Sequence, residues 1–176
     1  MTVLIRFLIT LCLAGVIFSL SWMYTLQSGL PMSFVCQFET MNTTTTSINE
    51  GINMLQSNKV VPLAHKLLRV DYGFMISIYP LLGLWLWQLQ NVVRKRWHRW
   101  LKALAWLQII SFGCDMTENW VLLQSLATQK LQLPIATYHV IEMGKWGFSL
   151  LGGLVVVFTS LNWVYTFLMD LKRTEV

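Results

Sequence analysis

Six side chains able to do acid–base or ligand chemistry sit inside two apolar stretches of membrane-spanning length. Asp115, Glu118 and Asn119 are in one, and His139, Glu142 and Lys145 in the other. A seventh, Asp71, stands at the expected outer entry of another such stretch, with Arg69 or outer water to neutralise it. A charge at the centre of a bilayer costs about 3 kcal/mol or more, so each of these groups needs a partner or a use. Helical spacing gathers them onto faces. Asp115 and Glu118 are three residues apart, and the same stripe runs through Gln108, Ser111 and Ser125. On the second stretch Tyr138, Glu142, Lys145 and Ser149 share a stripe, with His139 beside it.

Charge accounting narrows the chemistry. Asp115, Glu118 and Glu142 against Lys145 leave an excess of negative charge if all ionise. A low dielectric disfavours that state, so carboxylates are protonated, His139 is charged, or a cation is bound. Four uses fit these residue types. One is a structural ion-pair network in which Lys145 bridges Asp115 and a glutamate. A second is a site that binds or transports a cation, a proton or a small amphipathic molecule. A third is an intramembrane enzyme, with Glu118 or Glu142 as general acid/base beside His139 on a lipid-like or sterol-like substrate. The fourth is a divalent metal held by Glu118, His139 and Glu142. The His139-x-x-Glu142 spacing matches the i, i+3 pairs of di-iron bundles. A single histidine, and the repulsion of a metal by Lys145, weigh against it. No cofactor is specified by any of these patterns.

The elements that must carry these groups are membrane helices. Of 176 residues, 55% are hydrophobic and 12% charged, with nine Trp and nine Phe. A water-soluble domain carries about 25% charged residues, so this chain lacks the polar surface of a soluble globule. Its length allows one membrane domain, 1–176, and no second one. Apolar stretches at about 7–26, 72–89, 101–126 and 137–169 each reach the roughly 20 residues needed to cross the hydrocarbon core. They lack the alternation of barrel strands. The expected fold is therefore an all-α bundle of four transmembrane helices. An outer loop spans about 27–70 and a basic cytoplasmic loop about 90–100. A cleaved signal peptide over the first stretch is disfavoured by its length and by the lack of an A-x-A site after it.

Orientation follows from the cations. Arg6, Arg94, Lys95, Arg96, Arg99, Lys102, Lys172 and Arg173 fall on one side, and Lys59, Lys66, Arg69 and Lys130 on the other. The positive-inside rule then puts both termini in the cytoplasm. The third stretch runs outward and the fourth returns after Pro134, so the ionisable groups fall in the outer half, with Lys145 at the depth of Asp115 and Glu142 near Glu118. The net charge of +5 is concentrated in Arg94, Lys95, Arg96, Arg99 and Lys102, interleaved with Trp97 and Trp100. That pattern suits topology and anionic lipid headgroups, and not nucleic acid.

Local signals fill in the rest. Thr43 to Thr46 read as a flexible run, and Ser47-Ile48-Asn49-Glu50 as a capping box opening a short amphipathic helix. Pro62 marks the start of the next helix, and Pro80 a kink within it. Gly83, Gly113, Gly144, Gly147, Gly152 and Gly153 invite close backbone approach. Asn42-Thr43-Thr44 matches a glycosylation acceptor. Cys12, Cys36 and Cys114 form no disulfide or metal-ligand spacing.

In length, span number and outer loop, the chain resembles the membrane oxidases that form disulfides. Their chemistry needs outer cysteine pairs, and only Cys36 falls outside. Sterol isomerase-type bundles also place His and Glu in short membrane helices, but none of their motifs aligns. Asp115-x-x-Glu118-Asn119 with Lys145-Trp146 resembles a pattern of small four-helix membrane proteins and implies no activity. The expected location is a bacterial inner membrane, or a eukaryotic endomembrane or plasma membrane. The lipid bilayer is the expected partner, with homo- or hetero-oligomers and a role as accessory subunit left open.

Overall fold

The computed structural model describes residues 3–31, Phe38 and residues 44–174, with the side chains of 3, 163, 164 and 166–174 excepted. Cys36, Asn42 and Thr43 lie outside these, as do the side chains of Lys172 and Arg173. The described chain is helical throughout, with no strand: α1 Val3–Gln27, α2 Thr45–Ser57, α3 Val61–Leu89, α4 His98–Thr128 and α5 Ile135–Thr174. A single 3₁₀ turn, Lys95–Trp97, leads into α4.

Three of these helices are long and apolar enough to cross a membrane, over Leu4–Gln27, Val61–Leu89 and Ile135–Asn162. Helix α4 matches them in length but not in composition. Its buried residues include Gln108, Ser111, Asp115, Glu118, Asn119 and Ser125, the stripe read from the sequence. A helix that turns so many polar groups inward forfeits average hydropathy while keeping an apolar outer surface. Trp106, Ile109, Ile110 and Trp120 cover that surface.

Several boundaries move. Helix α3 begins at Val61, with Pro62 in its first turn, so the expected loop 27–70 gives up its last ten residues to helix. Asp71 is therefore buried inside α3, not at a mouth. The capping box lies one turn earlier than Ser47 to Glu50. Thr44 caps α2 by accepting from the Ser47 N–H, and the Thr44 N–H donates to the Ser47 hydroxyl at 2.8 Å. Thr45 and Thr46 are consequently the first turn of a helix and not a flexible run. Helix α4 opens at His98, which shortens the basic loop expected to reach residue 100.

Packing is layered along the bundle. Ile48, Ile52 and Leu55 of α2 bury against Leu67 and Leu68 of α3, Leu122 and Leu126 of α4, and Tyr138 of α5. Asn49 of α2 accepts from the Leu131 N–H at 3.0 Å, so this short helix caps one end of the bundle. At the other end Leu86, Leu89, Leu101 and Val156 form a second apolar cluster. The polar groups lie between the two. Helix α1 packs along α3 with most of its large apolar side chains exposed, among them Phe7 and Phe18.

Of the glycines, Gly144 and Gly152 bring α5 close to α4. A Cβ on Gly144 would lie 2.8 Å from Cys114 Sγ, and one on Gly152 would collide with the Gln108 amide. A Cβ on Gly83 would rest 3.6 Å from the Ala105 carbonyl, while at Gly113, Gly147 and Gly153 it would meet nothing. Those three are not contact glycines.

Candidate functional site

The polar layer is built on three helices. From α4, Asp115 and Glu118 face Lys145 of α5. The ammonium lies 3.0 Å from Asp115 Oδ1 and 3.1 Å from Glu118 Oε2. Glu118 is fully buried and Lys145 is 5% exposed. The Lys145 ammonium also stands 5.1 Å from the Trp146 ring centroid, near enough for a cation–π contribution. Helix α3 adds Tyr79, whose hydroxyl donates to Asp115 Oδ2 at 2.8 Å. The Tyr138 hydroxyl of α5 lies 3.2 Å from Glu118 Oε1 and 2.5 Å from the Phe38 carbonyl.

Two satellites flank this centre. Asn119 donates to Asp71 Oδ2 at 2.6 Å and links α4 to α3. The buried Asn119 Oδ1 has no hydrogen-bond partner among the described residues. On α5, His139 Nδ1 sits 2.9 Å from Glu142 Oε2, one turn apart. Glu142 is fully buried while the His139 side chain is 30% exposed. Toward the other end, Gln108 donates to the Phe148 carbonyl across α5 at 3.1 Å and to its own helix at Leu104. Ser111 bonds the Gly144 carbonyl at 3.4 Å.

All seven residues singled out in the sequence are thus in one layer, but not in one cluster. Lys145 joins Asp115 and Glu118. Asp71 goes with Asn119, and His139 with Glu142. Arg69 and outer water were the expected partners of Asp71, yet its observed partner is an amide on a neighbouring helix. The metal set Glu118, His139 and Glu142 does not assemble. Among the described residues no three His, Cys, Asp or Glu side chains form a metal-holding group. The Lys145 ammonium occupies the place a cation would take between Asp115 and Glu118.

Sequence reasoning missed both tyrosines as partners of the acids. Tyr138 was on the right stripe, but Tyr79 carries no signal beyond lying next to Pro80. It also missed a groove. Between α3 and α4 a cavity of about 440 Å³ is lined by Ile76, Tyr79, Pro80, Gly83, Trp87, Trp106, Ile109, Phe112 and Gln108, among others. No charged side chain lines it among the described residues. Gly83, packed near the Ala105 carbonyl, lets the two backbones approach there. Pro80 has no N–H to give the Ile76 carbonyl, so the α3 ladder lacks one bond beside the cavity.

At the opposite end from α2, Arg94, Lys95, Arg96, Arg99 and Lys102 are all exposed. Arg96 stands 5.4 Å from the Trp97 ring centroid, and Lys102 5.6 Å from that of Trp87. Of the two aromatic rings interleaved with these cations in the sequence, that of Trp97 is thus in contact with one of them. No protein family, curated protein or solved structure matches the chain.

Proposed function

We propose that this chain is a four-span membrane protein, both termini cytoplasmic, that binds a neutral amphipathic molecule from the bilayer in the α3–α4 groove. The crossing of α4 is inferred from its neighbours. It has 31 residues, about 46 Å of helix, and packs against both α3 and α5. Short connections tie it to two helices that are themselves apolar enough to span. The exposed Arg94, Lys95, Arg96, Arg99 and Lys102 would sit at the cytoplasmic surface against anionic headgroups.

One observation carries the binding reading. The Tyr79 ring is part of the groove wall while its hydroxyl donates to Asp115. A molecule in the groove would thereby lie one side chain from the buried ionic centre. With no charged lining among the described residues, a charged head has no partner there, whereas Gln108 Oε1, which has no hydrogen-bond partner among the described residues, can accept. The fitting ligand has an apolar body and one uncharged hydroxyl head that can donate. The test uses photoreactive long-chain alcohol and sterol probes on the full chain in nanodiscs. Labelling should concentrate on α3 and α4 groove residues and fall in Gly83→Leu and Ala105→Phe, which fill the cavity. Equal labelling of the exposed faces of α1 and α5 would sink the reading. The topology is checked by cysteine labelling at positions 96 and 172, which must be reached from the same side.

A second reading, an intramembrane acid–base enzyme, is favoured by the His139–Glu142 pair. A buried carboxylate fixing one nitrogen of a half-exposed imidazole is the arrangement that orients a general base. Recovery of a chemically altered probe from the parent protein, and of intact probe from His139→Gln, is the result that would select it.

A further inference from the structure

Gln108 is 1% exposed, and the two ends of its amide are served unequally. Nε2 has two hydrogens and two carbonyls to receive them, Leu104 at 3.2 Å in its own helix and Phe148 of α5 at 3.1 Å. Oε1 is buried as well, yet it has no hydrogen-bond partner among the described residues. A flipped amide would set Oε1 against the same two carbonyls, acceptor against acceptor, so the network fixes which end faces α5.

Gly152 fixes its position. A Cβ there would collide with Nε2 but stand 3.5 Å from Oε1, so the nitrogen is pressed onto α5 and the oxygen is turned from it. Gln108 is also part of the wall of the α3–α4 groove. The other wall side chains with a hydrogen to donate are Tyr79, Trp87 and Trp106, and none of them bonds Oε1. Tyr79 donates to Asp115 instead. We infer that Gln108 is the specificity-determining residue of the groove, its fixed carbonyl selecting an alcohol over a ketone or ether of the same skeleton. The inference rests on the groove reading and adds which atom reads the head of the ligand.

The selection follows from what each head leaves unpaired. A hydroxyl donates to Oε1 and satisfies an acceptor that is otherwise buried without a hydrogen. A ketone or ether brings a second acceptor to the first, with no hydrogen between them, and both stay unsatisfied. The apolar bodies make the same contacts in each case, so the preference is read at the head alone. Sterols and long-chain fatty alcohols share this chemistry.

The test is made on the full chain in lipid nanodiscs carrying a photoreactive sterol alcohol. Displacement from the groove is compared for cholestanol against cholestan-3-one, and for hexadecanol against its methyl ether. In the parent the alcohol of at least one pair should displace the probe at about one-tenth of the concentration its partner needs, and that pair identifies the body. In Gln108→Met, which keeps length and loses the acceptor, the members of that pair should differ by less than about twofold. Gly152→Ala leaves Gln108 present but pushes its amide out of place, and it should lose the preference while groove labelling persists. Groove labelling in the parent with both pairs displacing equally would overturn the inference and leave the groove reading standing, as would a preference retained in either variant. A parent that is not labelled in the groove overturns both. Should Gln108→Met fail to fold, the parent comparison and Gly152→Ala decide the matter.

Discussion

The molecule has two close helix seams of opposite character. Along α1 and α3, small residues meet reciprocally. A Cβ on Gly15 would strike the Ser77 hydroxyl, and one on Gly73 would lie 3.4 Å from that of Ser19. Both pairs, Gly15-x-x-x-Ser19 and Gly73-x-x-x-Ser77, have the spacing that lets membrane helices touch. Yet the Ser77 hydroxyl bonds its own helix, at the Gly73 carbonyl. Along α4 and α5 the backbones are also brought together by glycine, at Gly144 and Gly152, but here Lys145 bridges to Asp115 and Glu118 and Gln108 reaches Phe148. Close approach alone gives dispersion, which tolerates sliding. Directional polar contacts, made where no water can substitute for them, fix one register.

The sharpest way to break this contrast is to remove the cation. Lys145→Ala leaves Asp115 and Glu118 facing each other without their shared ammonium, an expected loss of about 3–5 kcal/mol. Thermal melting in nanodiscs reads it, and a melting point equal to that of the parent would show that the seam does not depend on the ion pair. A smaller loss is expected from Asn119→Leu. It deletes the 2.6 Å bond to Asp71, and hydrogen bonds to charged groups contribute about 1.5–3 kcal/mol. If Asn119→Leu proves as stable as the parent, the α3–α4 link through Asp71 contributes nothing to register.

The contrast was only partly legible in the sequence. Period 3.6 placed Gln108, Ser111, Asp115, Glu118 and Ser125 on one face because an ionisable group in an apolar helix is too costly to be incidental. Pro62 marked the start of α3 because proline suits a first helical turn. Pairing between helices was less visible. Depth arguments brought Lys145 level with Asp115, but nothing in the spacing chose Asn119 over Arg69 for Asp71, since that choice depends on how α3 rotates against α4. The α1–α3 seam left a weak trace because glycine and serine are common in membrane helices. The groove left none, as it is an absence of side-chain volume around Gly83 and Pro80. The capping box was misplaced by a turn because Thr44–Ser47 and Ser47–Glu50 both have the required spacing.

The α1–α3 seam offers its own test, of lesser size. Gly15→Val should cost about 1–3 kcal/mol through overpacking against Ser77, without disturbing the polar layer. Combining it with Ser77→Gly should restore most of the loss, because the obstructing hydroxyl is gone. If the double variant stays as weak as Gly15→Val, the contact is not what sets that seam.

The smallest effect lies outside both seams and calibrates them. Gln129, just past the end of α4, holds a left-handed backbone with φ of 62°, and its N–H bonds the Ser125 carbonyl. A side chain there is strained where glycine is not, while glycine is more flexible in the unfolded chain. The first effect is the larger at a helix end of this kind, so Gln129→Gly should stabilise by about 0.5–1 kcal/mol. Because this residue touches neither the ion pair nor the small-residue contacts, the gain should be the same in the parent, in Lys145→Ala and in Gly15→Val. Equal increments in all three would show that the two seams melt as one cooperative unit with α4. An increment that disappears only in Lys145→Ala would mean that α4 loses its C-terminal end when the cation is removed, so that the polar layer, and not the apolar cap over it, holds that end in place.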